Sequence, residues 1–371
     1  MIKIKLLEDD GLRAELETLH WLWFSNRMKT KCSWNKNITY RQFLKNNIKY
    51  AKTAEMRGLT KEQMDNLFES RLKELVVGPD NVNDKGRNFF SRWIELNGPM
   101  KRFPKPPNGT LTSRQMNYNK KIEHIEKALG YSDFCTIDVN RKWYKNFFEQ
   151  SKRDWGADIL FNKLNINVCP YCNREYIFNV ILNDGKVKKL AEIDHFLPQG
   201  VYPYFSCYLY NFVPSCLLCN HGKKSKIRGI IYPYNQEFGD AGKFNIKLNK
   251  NADFDFPLNI HDIQIRLKLK GSKEIRHQIL KSNKMFCILP IYNDHKIEIR
   301  DLLKRYNLYG MNKCKSLYKY FDFEKKISSE QIPKYFRDLL LGLPLESEEK
   351  QYPLRKFKED IIEQLDAAMK R

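Results

Sequence analysis

Two C-x-x-C pairs, Cys169/Cys172 in "CPYC" and Cys216/Cys219 in "CLLC", stand either side of "EIDHFLPQ", and Asn220 and His221 follow the last cysteine at once. With nine cysteines in 371 residues, about 0.2 such pairs are expected by chance, so two carry information. In a reducing compartment C-x-x-C pairs read as metal knuckles before disulfides. Four thiolates at ~2.3 Å complete a zinc tetrahedron and leave it no open position, which makes the expected zinc structural. Asp194, His195 and Asn220 then remain for a second cation. A carboxylate and an amide oxygen are hard ligands, suited to Mg²⁺ or Mn²⁺, which keep waters and recruit phosphate. Asp194 and His195 are neighbours on an expected strand, so their side chains point to opposite faces. That divides the work: Asp194 faces the metal, and His195 faces an attacking water as general base.

The composition agrees with a phosphate-bearing substrate. Lys and Arg number 66 against 44 Asp and Glu, a net charge of +22, which calls for a polyanionic partner. No apolar run approaches the ~20 residues of a spanning helix, and the start "MIKIKLLEDDGLR" turns acidic where a signal peptide would be apolar. The expectation is a soluble, cytoplasmic protein without a membrane partner. Cys32, Cys135, Cys207, Cys287 and Cys314 lack framework spacing and are expected to be buried thiols.

The elements that must position these residues follow from pattern. "IKIKLL" alternates as a short strand, and the first 150 residues then read mainly as basic helices. Helix starts are marked at Thr60, by "TKEQ", and at Ser113, whose segment stops on Gly130. Between them "NGPMKRFPKPPNGTLT" reads as an exposed loop whose Lys101, Arg102 and Lys105 suit a phosphate backbone. Two β-branched runs meeting at Asn183-Asp184-Gly185 predict a hairpin. A helix is expected to begin near Cys216, strands at 243–249 and 262–270, and helices from Lys273 onward, the last with Pro353 in its first turn. The aromatics Tyr202, Tyr204, Phe205, Tyr208 and Tyr210 fit a core stripe better than a base-stacking platform.

In combination, residues 166 to 236 resemble the HNH endonuclease family, the ββα-metal nucleases, in the four-cysteine zinc form that includes the phage resolvase endonuclease VII. The resemblance implies an α+β fold with a ββα-metal core. It implies His195 as general base, Asp194 and Asn220 as ligands of catalytic Mg²⁺ or Mn²⁺, and Asn211 in "YNFVPSC" as the residue that orients His195. Cys169, Cys172, Cys216 and Cys219 carry structural Zn²⁺. Asn220, directly after the cysteine, matches the family position; His221 is its rival. The following Lys223, Lys224, Lys226 and Arg228 are candidate phosphate contacts. "CPYCNREYI", "DHFLPQGVYPYF" and "IYPYNQEFG" are also similar to bacterial HNH proteins of anti-phage defence, such as the nuclease subunit of Septu systems, which implies an ATPase subunit as partner. The expected organisation is a basic helical region at 1–150, an HNH core at 151–240 and a mixed, mainly helical region at 241–371. The expected activity is metal-dependent hydrolysis of nucleic acid, DNA before RNA. The rival from another class is a non-catalytic zinc-ribbon binding module, which would not need Asp194, His195 and Asn220 together.

Overall fold

A computed structural model describes residues 1–78, 86–135, 155–181, 187–189, 191–222, 229–249, 259–309, 338–339, 341–343 and 352–369. Among these residues, helices alternate with four two-stranded sheets, a mixed α+β fold as expected. The chain divides into two compact units that do not follow the expected boundaries at 150 and 240. A helical unit comprises Ile4–Asn165 and Asn179–Pro214, and a knuckle unit comprises Met1–Lys3, Ile166–Phe178 and Ser215–Arg371. Both C-x-x-C pairs therefore belong to the knuckle unit, and Asp194-His195 to the helical one.

The helical unit starts with α1 (Asp10–Met28), capped by Asp9, whose carboxylate accepts from Leu12 N–H. Its buried Leu16, His20, Trp23, Phe24, Arg27 and Met28 recur at helical spacing and give it one inward stripe. A small hairpin that the sequence reading did not anticipate, β1 (Lys31–Cys32) and β2 (Asn35–Thr39), leads into α2 (Tyr40–Asn47) and the single turn α3 (Thr53–Met56). The Thr60 signal is realised in α4 (Lys61–Val77), where Thr60 and Gln63 form a reciprocal capping box. After α5 (Gly86–Asn97) and the exposed loop comes α6 (Ser113–Leu129), boxed by Thr112 and Gln115 and stopped by left-handed Gly130. Arg27 closes that end: its Nε donates to Ala128 O at 3.2 Å, and its guanidinium pairs with Asp133. A Cβ at residue 130 would sit 2.2 Å from Arg27 Nε, so glycine is required there by space as well as by φ. This joint sets the single-turn α7 (Tyr131–Cys135), which is followed by α8 (Ala157–Leu164). The arms of the expected hairpin are β3 (Asn179–Ile181) and β4 (Val187–Lys189), paired antiparallel, with the Asn183-Asp184-Gly185 tip outside the described residues. Finally β5 (Glu192–His195) pairs with β6 (Phe212–Ser215).

In the knuckle unit, α9 (Leu217–Gly222) begins directly after Cys216, as expected. The two alternating segments are β7 (Gly242–Leu248) and β8 (Ile263–Leu269), in antiparallel register from Gly242↔Leu269 to Leu248↔Ile263. Helices α10 (Lys273–Met285), α11 (Ile288–Asn293), α12 (Lys296–Tyr309) and α13 (Arg355–Met369) complete the described part. A two-stranded sheet leaves backbone groups open along its edge, and α13 covers them. Phe244 N–H donates to Asp360 and Ile246 N–H to Gln364, each at 2.8 Å, while Gln364 Nε2 donates back to Ile246 O.

Three local expectations need correction. "IKIKLL" forms no strand: Lys5–Glu8 is a 3-10 turn, and Ile2 N–H donates instead to Pro170 O at 2.9 Å. Pro353 precedes the last helix by two residues, because Leu354 adopts a left-handed φ of 60° and gives its N–H to Asn173 O. Of the five isolated cysteines, Cys32 and Cys207 are buried, Cys135 is half-buried, Cys287 is exposed, and Cys314 lies outside the described residues.

His20 sits at the centre of the helical unit. Trp155 Nε1–H donates to its Nδ1 at 3.2 Å, so Nε2 carries the proton and donates to Cys207 O at 2.9 Å. Burial among Trp23, Phe134, Trp155 and Phe212 pulls its pKa from 6.5 to about 4. The unfolded chain therefore binds the extra proton between those values. The stability supplied by neutral His20 is complete above about pH 6.5 and falls by about 3 kcal/mol as pH drops to 4. Urea titrations of wild type and His20→Gln should differ most at pH 7, and the gap should shrink by about that amount at pH 4. A gap independent of pH would mean that His20 is not held neutral.

Candidate functional site

The four knuckle cysteines converge. Cys169, Cys172, Cys216 and Cys219 are all buried, and their sulfurs lie within 4.8 Å of one another. A zinc tetrahedron with ~2.3 Å bonds has sulfur–sulfur edges of ~3.8 Å, and Cys172 Sγ to Cys216 Sγ measures 3.9 Å. The donor set and its spacing thus fit one zinc ion with four thiolates. The backbone prepares this geometry locally. Cys169 N–H donates to Glu175 O and Asn173 N–H to Cys169 O, folding "CPYCN" into a tight knuckle. Its last residue, Asn173, takes a left-handed φ of 50°, which asparagine tolerates better than most residues. Asn220 N–H donates to Cys216 O in the first turn of α9. Around the cluster, Tyr292 Oη donates to Cys172 O at 2.6 Å and Phe286 stacks on Tyr171 at 4.4 Å. Burial pushes the Cys169 thiol up, whereas hydrogen bonding from Cys169 brings Cys172 down. Without a cation, sulfurs this close compete for protons, and a divalent ion removes that conflict.

Asp194 and His195 close β5 in the helical unit. Asp194 is 5% exposed and His195 is half-buried. His195 Nε2 lies 3.0 Å from Ser206 O. A carbonyl can only accept, so Nε2 carries the proton and, in the neutral ring, the lone pair belongs to Nδ1. Asn211 is fully buried and braces the chain just after His195. Its Oδ1 accepts from Leu197 N–H at 2.7 Å, its Nδ2 donates to Leu197 O and Phe205 O, and its backbone O accepts from Phe196 N–H. The stripe Tyr202, Tyr204, Phe205, Tyr208 and Tyr210 is buried, so these rings form core, as expected. Asn220 is half-buried in α9 of the knuckle unit, and His221 beside it is exposed. Lys223, Lys224, Lys226 and Arg228 lie outside the described residues.

Sequence reasoning missed Tyr131. It packs edge-on against His195, with ring centroids 4.3 Å apart, and Phe212 contacts the same imidazole at 5.6 Å. Burial pushes the Tyr131 phenol up, and the neighbouring Cys135 and Asp194 add to that. Nothing in the local pattern of "LGYSDFC" announces this role, since it depends on the joint between Gly130 and Arg27.

No family model matches the chain, and no solved structure matches it. The chain is similar to Protein ea31 of Escherichia phage lambda, 36% identical over 131 residues. The match covers 33% of this chain and 40% of the phage protein. Among the described residues, no helix is long and apolar enough to cross a membrane.

The sulfur cluster generates a direct expectation. Purified protein should hold one zinc per chain by elemental analysis, and Cys169→Ser or Cys216→Ser should give zinc-free, insoluble or unfolded protein. Structural zinc contributes ~10 to 16 kcal/mol in small peptides, comparable to a typical domain's whole stability. Fully folded wild type without bound metal would remove the zinc assignment.

Proposed function

We propose that the chain is a metal-dependent HNH-type endonuclease that hydrolyses phosphodiester bonds of nucleic acid, with DNA as the expected substrate. The observation that carries this is His195: its Nε2–H is committed to Ser206 O beside a buried carboxylate, which makes Nδ1 the basic atom. In this reading His195 Nδ1 takes the proton of the attacking water, a step that contributes roughly 10² to 10⁴ in rate. Asn211 positions His195 by holding the backbone of residues 196 and 197, and does not itself touch substrate. Tyr131 and Phe212 restrict the imidazole to one plane. Asp194, a buried carboxylate, suits Mg²⁺ or Mn²⁺ as a ligand, and the family resemblance names Asn220 as a further ligand by its position directly after Cys219. When bound, that cation supplies charge stabilisation to the phosphate and to the leaving 3′ oxygen. The cysteine zinc, with four thiolates, has no open position and serves as scaffold. The motif wording further suggests a role in anti-phage defence beside an ATPase subunit.

The test uses zinc-loaded protein on plasmid, linear duplex, single-stranded DNA and RNA, with and without Mg²⁺ or Mn²⁺. His195→Ala should lower cleavage by at least about a hundredfold while zinc content and nucleic-acid affinity stay near wild type. Asn220→Ala should raise the Mg²⁺ concentration needed, and His221→Ala should do much less. Binding without cleavage by the wild type, under every metal condition, would favour a zinc module that only binds.

A further inference from the structure

The loop between α5 and α6 is a built strap. From Leu96 to Ile122 the sequence has Lys101, Arg102, Lys105, Arg114, Lys120 and Lys121 and no carboxylate. Residues 101–110 are all exposed, yet the strap is pinned at three points. Asn97 clamps Lys49, accepting from its N–H and donating to its O at 2.9 Å each. Met100 N–H donates to Val201 O at 2.8 Å, in the segment that follows β5. Asn119 clamps Phe103 in the same two-bond manner, at 2.8 and 2.9 Å. The foot of the strap borders a hollow of about 380 Å³ that includes Lys49, Tyr50, Met100 and Lys121.

Some basic side chains of this unit are paired, as in Lys45–Asp65 and Arg41–Glu69, and on the strap Arg102 pairs with Glu126. Lys101, Lys105 and Arg114 have no carboxylate partner among the described residues. Between these charges Phe103 remains 43% exposed, although its backbone is fixed at both N–H and C=O, and Tyr118 meets its ring edge-on at 5.5 Å. Met116, also on this stretch, is 50% exposed. A fixed aromatic face in water amid unneutralised cations suits a ligand with flat apolar rings and regularly spaced anions. Paired bases in a duplex offer no free face, whereas unpaired bases do.

We propose that the strap, with Phe103 and Tyr118 as stacking surface and Lys101, Lys105 and Arg114 as phosphate-binding side chains, binds an unpaired nucleic-acid strand. This rests on the nucleic-acid reading of the site and adds to it which strand form is held and where. The test is fluorescence anisotropy of labelled oligothymidylate and of a matched duplex with zinc-loaded protein, without Mg²⁺ so that no strand is cut. Phe103→Ala should weaken single-strand binding about tenfold and duplex binding by less than about twofold, with Phe103→Trp close to wild type. The Lys101→Ala/Lys105→Ala/Arg114→Ala variant should flatten the salt dependence by about 0.7 for each phosphate no longer neutralised, about 2 in all. Binding and salt slope unchanged in both variants would overturn the strap, and cleavage retained by the wild type would then leave the nuclease reading standing. A wild type that binds neither nucleic acid would overturn both.

Discussion

Four sulfur atoms packed within 4.8 Å of one another are stable as a group only if something offsets their charge or shares their protons, and a zinc ion does so at the spacing observed. Much of the knuckle unit leans on that cluster. The turn "CPYCN" presents Cys172 O to Tyr292 and Asn173 O to Leu354 N–H, so the knuckle fixes both α11 and the entry to α13. α13 in turn closes the edge of β7 through Asp360 and Gln364. The cysteine cluster thereby links segments separated by almost two hundred positions in sequence. Disrupting the cluster should propagate to the last helix before it affects the distal ends of β7 and β8.

The helical unit solves a different problem, that of holding the short strand β5 and the loop after it. Between β5 and β6 the described chain forms only short 3-10 turns, and the N-terminal region supports it through polar contacts in an aromatic core. His20 donates to Cys207 O, Tyr204 Oη donates to Gly98 O, and Tyr210 Oη donates to Glu17. The N-terminal region is thus part of the housing of His195, which explains why the compact units cut across the expected boundaries. Arg27, Gly130 and Asp133 form one further link, since together they fix the turn from which Tyr131 meets the imidazole.

What could be read from the sequence was local. The C-x-x-C pairs, the capping box at Thr60, the helix start at Ser113, the stop at Gly130 and the alternation of β7 and β8 each depend on a few neighbouring residues, and each is realised. The failures were non-local. "IKIKLL" has strand periodicity, but a strand needs a partner edge, and Ile2 finds Pro170 instead. Pro353 looked like a first-turn residue because proline tolerates that position, whereas the helix start was set by a hydrogen bond from Leu354 to Asn173. Tyr131 was invisible for the same reason, as its place beside His195 is fixed by a buried arginine more than a hundred residues away in sequence.

The proposed reaction is hydrolysis of a phosphodiester by direct attack of water, with His195 Nδ1 as the base and the sulfur-bound zinc outside the chemistry. End-group analysis of the products tests it most directly: nucleic acid is cut by zinc-loaded protein in Mg²⁺, and the new termini are identified by ligation and phosphatase sensitivity. The expected result is a 5′ phosphate and a 3′ hydroxyl at every cut. A 3′ phosphate or a 2′,3′-cyclic phosphate, or the absence of any cut with either Mg²⁺ or Mn²⁺, would contradict the account.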